Sequence, residues 1–120
     1  MYGSSLALDP DGAVHIAYYA GGAEEGLRHA TSASGTWTFE TIEEGARVQN
    51  STGLAVDESG VIHVAYSATR STDEEIRYAM GRQAPFAVES IGDGVRFASN
   101  PPGVSLALDA AGNVHVAYQN

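Results

Sequence analysis

One phrase is written three times along this chain, and no other feature restricts the fold as strongly. It reads SLALDPDGAVHIAYY from Ser5, GLAVDESGVIHVAYS from Gly53 and SLALDAAGNVHVAYQ from Ser105. The repeated histidines, His15, His63 and His115, stand 48 and 52 residues apart. A second phrase falls between the copies, LRHATSASGTWTFETI from Leu27 and IRYAMGRQAPFAVESI from Ile76. Repeats of this length bury their apolar faces by stacking on their neighbours, so the chain must be a row of similar units.

Each phrase reads as two short strands. In the first copy Leu6 and Leu8 share one face while Ala7 takes the other, and beyond a turn Val14, Ile16 and Tyr18 alternate with His15 and Ala17. The turn is written Asp9-Pro10-Asp11-Gly12, Asp57-Glu58-Ser59-Gly60 and Asp109-Ala110-Ala111-Gly112. Only the aspartate and the glycine persist, the first able to accept hydrogen bonds from turn amides and the second able to take positive φ. The second phrase supplies another strand pair, Leu27 to Thr31 with Thr36 to Ile42, and Ile76 to Met80 with Phe86 to Ile91. Four strands in about 50 residues, with no helical periodicity, predict an all-β fold of propeller blades. The expected organisation is one propeller segment over 1–120, with blade repeats at about 4–42 and 52–91 and a half-blade at 104–119.

These residues resemble bacterial propeller repeats that read LALD, two variable positions, Gly, then HIAYY, followed by an LKYA strand and a GxW strand. Ser32-Ala33-Ser34-Gly35-Thr36-Trp37 is similar to a degenerate Asp-box of the sialidase-type propellers, without the aspartate after the first serine. The resemblance spans nearly the whole chain and implies a propeller, with an extracellular setting compatible with it. It does not choose between lectins, lyases, glycosidases and scaffolds, because one fold hosts all of them.

Composition narrows the partners. Fifteen acidic residues against six basic ones, all six arginine, give a formal charge of −9. Such a chain repels phosphate backbones and offers no basic stripe, which argues against nucleic acid and anionic membranes. There is no cysteine, so disulfides and thiolate metal sites are excluded, and the redox compartment is left open. No apolar run approaches the roughly 18 residues that cross a bilayer as a helix, and Met1-Tyr2-Gly3-Ser4-Ser5 lacks the pattern of a signal peptide. The sequence as written therefore reads as soluble.

With the four strands of a blade lettered A to D from the axis outward, the B–C and D–A connections of a propeller gather on one side of the disc. Here that side is expected to hold Tyr19 to Gly26, Ser67 to Glu75, Glu43 to Thr52 and Gly92 to Gly103 as variable loops. Two of these segments match, Gly45-Ala46-Arg47-Val48 and Gly94-Val95-Arg96-Phe97. Arg47 and Arg96 are the candidate ligand-binding pair, since guanidinium groups grip carboxylates or sulfates bidentately. Gln49, Asn50, Ser99 and Asn100 stand beside them and supply amides and hydroxyls suited to a sugar. The competing expectation pairs each arginine with Glu43, Glu44, Glu74 or Glu75 and makes the polar residues loop caps.

The repeated histidines do not predict a metal site, because equivalent positions on successive sheets lie on the order of 10 Å apart, whereas zinc ligands each lie about 2 Å from the ion. Each histidine follows its turn aspartate by six residues, so strand B is expected to fold it back onto that carboxylate or a turn carbonyl. No nucleophile elbow or phosphate-binding loop is present, the acidic residues fall mainly in turns and runs, and no cofactor is implied. Tyr18, Tyr66 and Tyr118 read as packing residues at blade interfaces. The expected function is a non-catalytic binding module of lectin type for carbohydrate, with acidic glycans among its ligands; the alternatives are part of a polysaccharide-degrading glycosidase or lyase, and a ligand-free repeat scaffold. Ten strands cannot close a ring, so self-association into a dimer or trimer about the propeller axis is expected.

Overall fold

A computed structural model of the chain describes residues 3–70, 73–93 and 103–118. Ten strands follow in order, all antiparallel to their partners: β1 (Ser4–Leu8), β2 (Val14–Ala20), β3 (Gly26–Thr31), β4 (Thr38–Glu44), β5 (Arg47–Val56), β6 (Ile62–Arg70), β7 (Asp73–Gly81), β8 (Ala87–Asp93), β9 (Val104–Leu108) and β10 (Val114–Tyr118). They form two four-stranded sheets, β1-β2-β3-β4 and β5-β6-β7-β8, and a separate hairpin, β9–β10.

The turn chemistry fixes each hairpin in the same register. Asp9 Oδ1 accepts the amides of Asp11 and Ala13 at 2.9 Å, and Asp57 and Asp109 repeat this with Ser59 and Val61 and with Ala111 and Asn113. Gly12, Gly60 and Gly112 close the turns at φ of 84°, 83° and 82°, a left-handed backbone that glycine adopts without a steric penalty. Leu6 is thereby set opposite Ile16, Leu54 opposite Val64 and Leu106 opposite Val116.

Alternation along the strands gives every sheet two unlike faces. In the second sheet the row Leu54, Val64, Ala79 and Val88 crosses all four strands in direct register and belongs to the core shared with the first sheet. The first sheet answers with Ala17, Leu27 and Ile42, and with Ala7 and Tyr19 at the margin. The opposite face of the second sheet presents Ala65 and Ile76, on which Val104, Leu106 and Val116 of the hairpin pack. Approach is closest at Gly53, where an added Cβ would lie 2.7 Å from the Leu106 nitrogen and 2.9 Å from its Cβ. The fold is accordingly a β-propeller segment, with β1, β5 and β9 as the neighbouring inner strands.

Two segments expected as loops are strand instead. Glu43 to Thr52 is interrupted only at Gly45 and Ala46, because β5 begins at Arg47, and β6 runs on to Arg70 where a loop from Ser67 was expected. Arg47 pairs with Thr69 and Val48 with Ala68, and burial of Ala46, Val48 and Ala68 stabilises this extension. A bulge between Gln49 and Thr52 restores the inner-strand register.

Candidate functional site

At the β2–β3 end of the first sheet a cavity of about 760 Å³ opens between the loop 21–25 and the end of β4. Glu24, Glu25, Arg28, Thr41 and Glu44 line it. Backbone packing builds its wall: Gly26 lies against the carbonyl of Glu43, where no Cβ fits, and the Gly45 amide donates to the Glu25 carbonyl at 2.8 Å. Arg28 rises from β3 and donates through Nη2 to Glu24 Oε2 at 2.9 Å. Glu25 accepts a hydrogen bond from the Tyr19 hydroxyl, and its Oε1 lies 3.3 Å from Arg47 Nε. The Tyr19 hydrogen bond, then Arg47, hold the Glu25 carboxyl below the usual carboxylate range. The same carboxylate pushes the Arg47 guanidinium up. The site thus offers ionised acceptors and guanidinium donors around one opening, with negative charge in excess.

Of the six residues expected to bind ligand, Arg47 stands on the described surface, at the start of β5 rather than on a loop, with its side chain 61% exposed. Its partner is Glu25, a carboxylate that the sequence reading did not put forward. Gln49 and Asn50 follow it on β5, and their side chains lie outside the described residues, as do Arg96, Ser99 and Asn100. Arg28 and Glu24 were missed as well, although LRHA and IRYA place an arginine at the same point of both second phrases.

The second of those arginines has a different environment. Arg77, on β7, reaches across to the first sheet and pairs through Nη2 with Glu43 Oε1 at 3.2 Å, while its Nη1 donates to Glu75 at 2.8 Å. Glu43 Oε2 accepts from the fully buried Tyr66 hydroxyl at 2.6 Å. Burial and then the Glu43 carboxylate push the Tyr66 phenol up, which keeps it a neutral donor. This arrangement is a clamp between sheets.

The histidines bind their turns as expected. His15 Nε2 lies 3.1 Å from Asp9 Oδ2, His63 Nε2 lies 3.0 Å from Asp57 Oδ2, and His115 Nε2 lies 3.1 Å from Asp109 Oδ2. Among the described residues no three His, Asp or Glu side chains gather as metal ligands would.

The fold and this surface together define a propeller segment with a polar, concave opening at one end of its blades. A solved structure, that of a fucose lectin from Kordia zhangzhouensis in complex with methyl-fucoside, superposes with a TM-score of 0.67 at 20% sequence identity, covering 97% of this chain and 82% of that one. At this identity the likeness speaks for the fold. No family model and no curated protein matches the sequence.

Proposed function

We propose that the chain is a non-catalytic carbohydrate-binding module of lectin type that works as an assembly of identical copies. The observation that carries the binding reading is the cavity formed by Glu24, Glu25, Arg28, Thr41 and Glu44, with Arg47 and Tyr19 behind Glu25. Adjacent sugar hydroxyls need acceptors and donors in alternation, which ionised carboxylates and guanidinium groups provide. The lectin with the similar fold holds a fucoside, a neutral sugar. The local excess of carboxylates, with Arg47 already engaged by Glu25, favours a neutral sugar over the acidic glycans suggested by arginine alone. Arg96, Gln49, Asn50, Ser99 and Asn100 are proposed as further ligand contacts.

Calorimetry with methyl-fucoside, backed by a glycan array, tests this. Binding is expected, with a loss of at least tenfold in Arg28→Ala, equivalent to about 1.4 kcal/mol. Selective capture of sulfated or uronic acid glycans restores the anion-site reading. Turnover of a polysaccharide replaces the lectin by an enzyme, and silence toward every glycan leaves a scaffold.

Self-association rests on a separate feature. The row Leu6, Ile16, Ala30 and Phe39 crosses the first sheet as Leu54, Val64, Ala79 and Val88 cross the second. In the second sheet Leu54 at the inner end of the row is 9% exposed; in the first, its counterpart Leu6 is 63% and the outer Phe39 66% exposed, while Ala30 between them is buried. The surface that covers such a row inside the chain is the opposite face of a neighbouring unit, and hairpin β9–β10 presents that face through Ser105, Ala107, His115 and Ala117, all exposed. Head-to-tail contact of copies, two or three to a ring, satisfies both surfaces. Light scattering on the eluting protein should give a dimer or trimer, and Leu6→Glu should shift it to monomer. A wild-type peak at 12.5 kDa, independent of concentration, overturns the assembly.

A further inference from the structure

The two four-stranded sheets differ at the position beside the repeated histidine. Strand β3 carries His29 opposite Ala17, and β7 carries Tyr78 opposite Ala65. In the second sheet His63 Nδ1 meets the Tyr78 hydroxyl at 2.6 Å and His63 Nε2 meets Asp57. The phenol supplies one hydrogen and the imidazole the other, so both contacts are complete with neutral rings.

In the first sheet His15 Nδ1 lies 2.9 Å from His29 Nε2. His15 Nε2 faces Asp9, and His29 Nδ1 lies 2.9 Å from Glu40 Oε1. All four ring nitrogens are therefore engaged in three contacts. Ionised carboxylates only accept, and two neutral imidazoles carry two hydrogens between them. Giving both hydrogens to Asp9 and Glu40 leaves two lone pairs facing each other across the nitrogen–nitrogen contact. Moving either one inward turns a lone pair onto a carboxylate instead. Three hydrogen bonds require a third proton.

We infer that His15 and His29 hold one shared extra proton between Asp9 and Glu40, and that this proton couples the contact between the first two sheets to pH. A second extra proton is refused, because two N–H groups would then oppose each other on a His29 side chain that is 1% exposed. Burial pushes His29 down against the pull of Glu40, and charge on His15 adds to the lowering, which opposes a second charge on the pair. The titratable and charged groups facing the pair among the described residues are Asp9 from the β1–β2 turn, Glu40 from β4, and Arg82 from the β7–β8 turn, which lines the same cavity of about 260 Å³. The coupling to the second sheet runs through Glu40, whose Oε2 accepts the Ala84 amide at 2.9 Å, and through Phe86, whose ring meets His29 edge-on.

The pH dependence follows from counting protons. Unfolded, two histidines with ordinary values near about 6.5 together carry two extra protons in acid, one at about pH 6.5 and none in alkali. Folded, the pair is inferred to carry one wherever the three contacts stand between ionised Asp9 and Glu40. Below about pH 6.5 the unfolded chain binds more protons and stability rises with pH; above it the folded chain binds more and stability falls, the proton going to solvent on unfolding. Each limb approaches about a tenfold change in the folded-to-unfolded ratio per pH unit.

Nitrogen-15 NMR of the imidazoles in the full chain at pH 7 is the direct test. Three protonated nitrogens among the four of His15 and His29 are expected; two, with both facing nitrogens bare, overturn the inference. Unfolding across pH 5 to 8 gives the second readout, with His29→Tyr installing the hydroxyl of the second sheet. The decline above about pH 6.5 should vanish from this variant, and an identical decline in both proteins refutes the shared proton. If His29→Tyr fails to fold, the NMR result on the unaltered chain decides alone.

Discussion

Glu43→Ala is expected to cost about 3–5 kcal/mol of folding stability, the scale seen when one partner of a buried ion pair is removed. Glu43 is 8% exposed, and it satisfies two groups of the second sheet at once. Without it the Tyr66 hydroxyl, fully buried, has lost its carboxylate acceptor. Arg77, 14% exposed, keeps Glu75 but loses the carboxylate of the first sheet, and its Nε already lacks a partner among the described residues. The loss is thus larger than one hydrogen bond, because an orphaned buried charge carries its desolvation penalty undiminished. Glu43→Gln should lose less, about 1–3 kcal/mol, since the amide oxygen still accepts from Tyr66. Urea unfolding measures both, with the exposed Glu44→Ala as control, expected within about 0.5 kcal/mol of the parent. A Glu43→Ala cost no greater than that control means that the clamp does not hold the sheets together.

That clamp shows what the sequence could not reveal. Its members come from two blades, Glu43 from the end of one and Tyr66 and Arg77 from the next, and no spacing in the chain brings them together. Repetition gave no help either. The β4–β3 register sets Glu43 opposite Leu27, whereas the corresponding partner of Ile76 in the second sheet is Gly92, next to which the Tyr118 hydroxyl lies. The strands and hairpins were legible for the opposite reason. The hairpins β1–β2, β5–β6 and β9–β10 rest on an alternation and a turn aspartate written three times, and β3–β4 and β7–β8 on a strand pair written twice, so accidental features cancel between copies.

The candidate site was legible in part. Arg47 stood out because Arg96 repeats it, but its partner Glu25 belongs to a connection whose length and charge differ between blades, and Arg28 stands on β3, where its repeat Arg77 has different partners. Glu43 to Thr52 and Ser67 to Glu75 read as loops because charged and small residues dominate them. On paired strands the exposed Glu44 and Arg47 stand beside buried Val48 and Ala68, while Glu43, Thr52 and Ser67 are polar yet buried, a pattern too mixed to recognise without its partner strand.

Asp57→Ala should be the second large effect, about 2–3 kcal/mol at neutral pH. One carboxylate there takes the amides of Ser59 and Val61, the Ser59 hydroxyl at 2.7 Å and His63 at 3.0 Å. Truncation frees the turn and also strips the buried His63 of its Nε2 partner, so two strands lose their common anchor. Burial alone would raise the Asp57 carboxyl, but the hydrogen bonds from His63, Ser59 and the backbone outweigh it and hold the group well below the ordinary carboxylate range. The sign of the pH dependence follows. A carboxyl depressed on folding adds stability that is complete above its unfolded value, about 3.9, and disappears as pH falls toward the folded value. The gap between parent and Asp57→Ala should therefore be constant from about pH 5 upward and should narrow below about pH 4. Asp109→Ala makes the useful comparison, because Asp109 has the same turn geometry while its histidine, His115, is 65% exposed. In the Leu6→Glu background, which is expected to leave the hairpin face uncovered, its loss should be the smaller of the two, since water can replace what the turn gives up. Equal losses at both positions would place the effect in the turn alone and remove the buried histidine from the account.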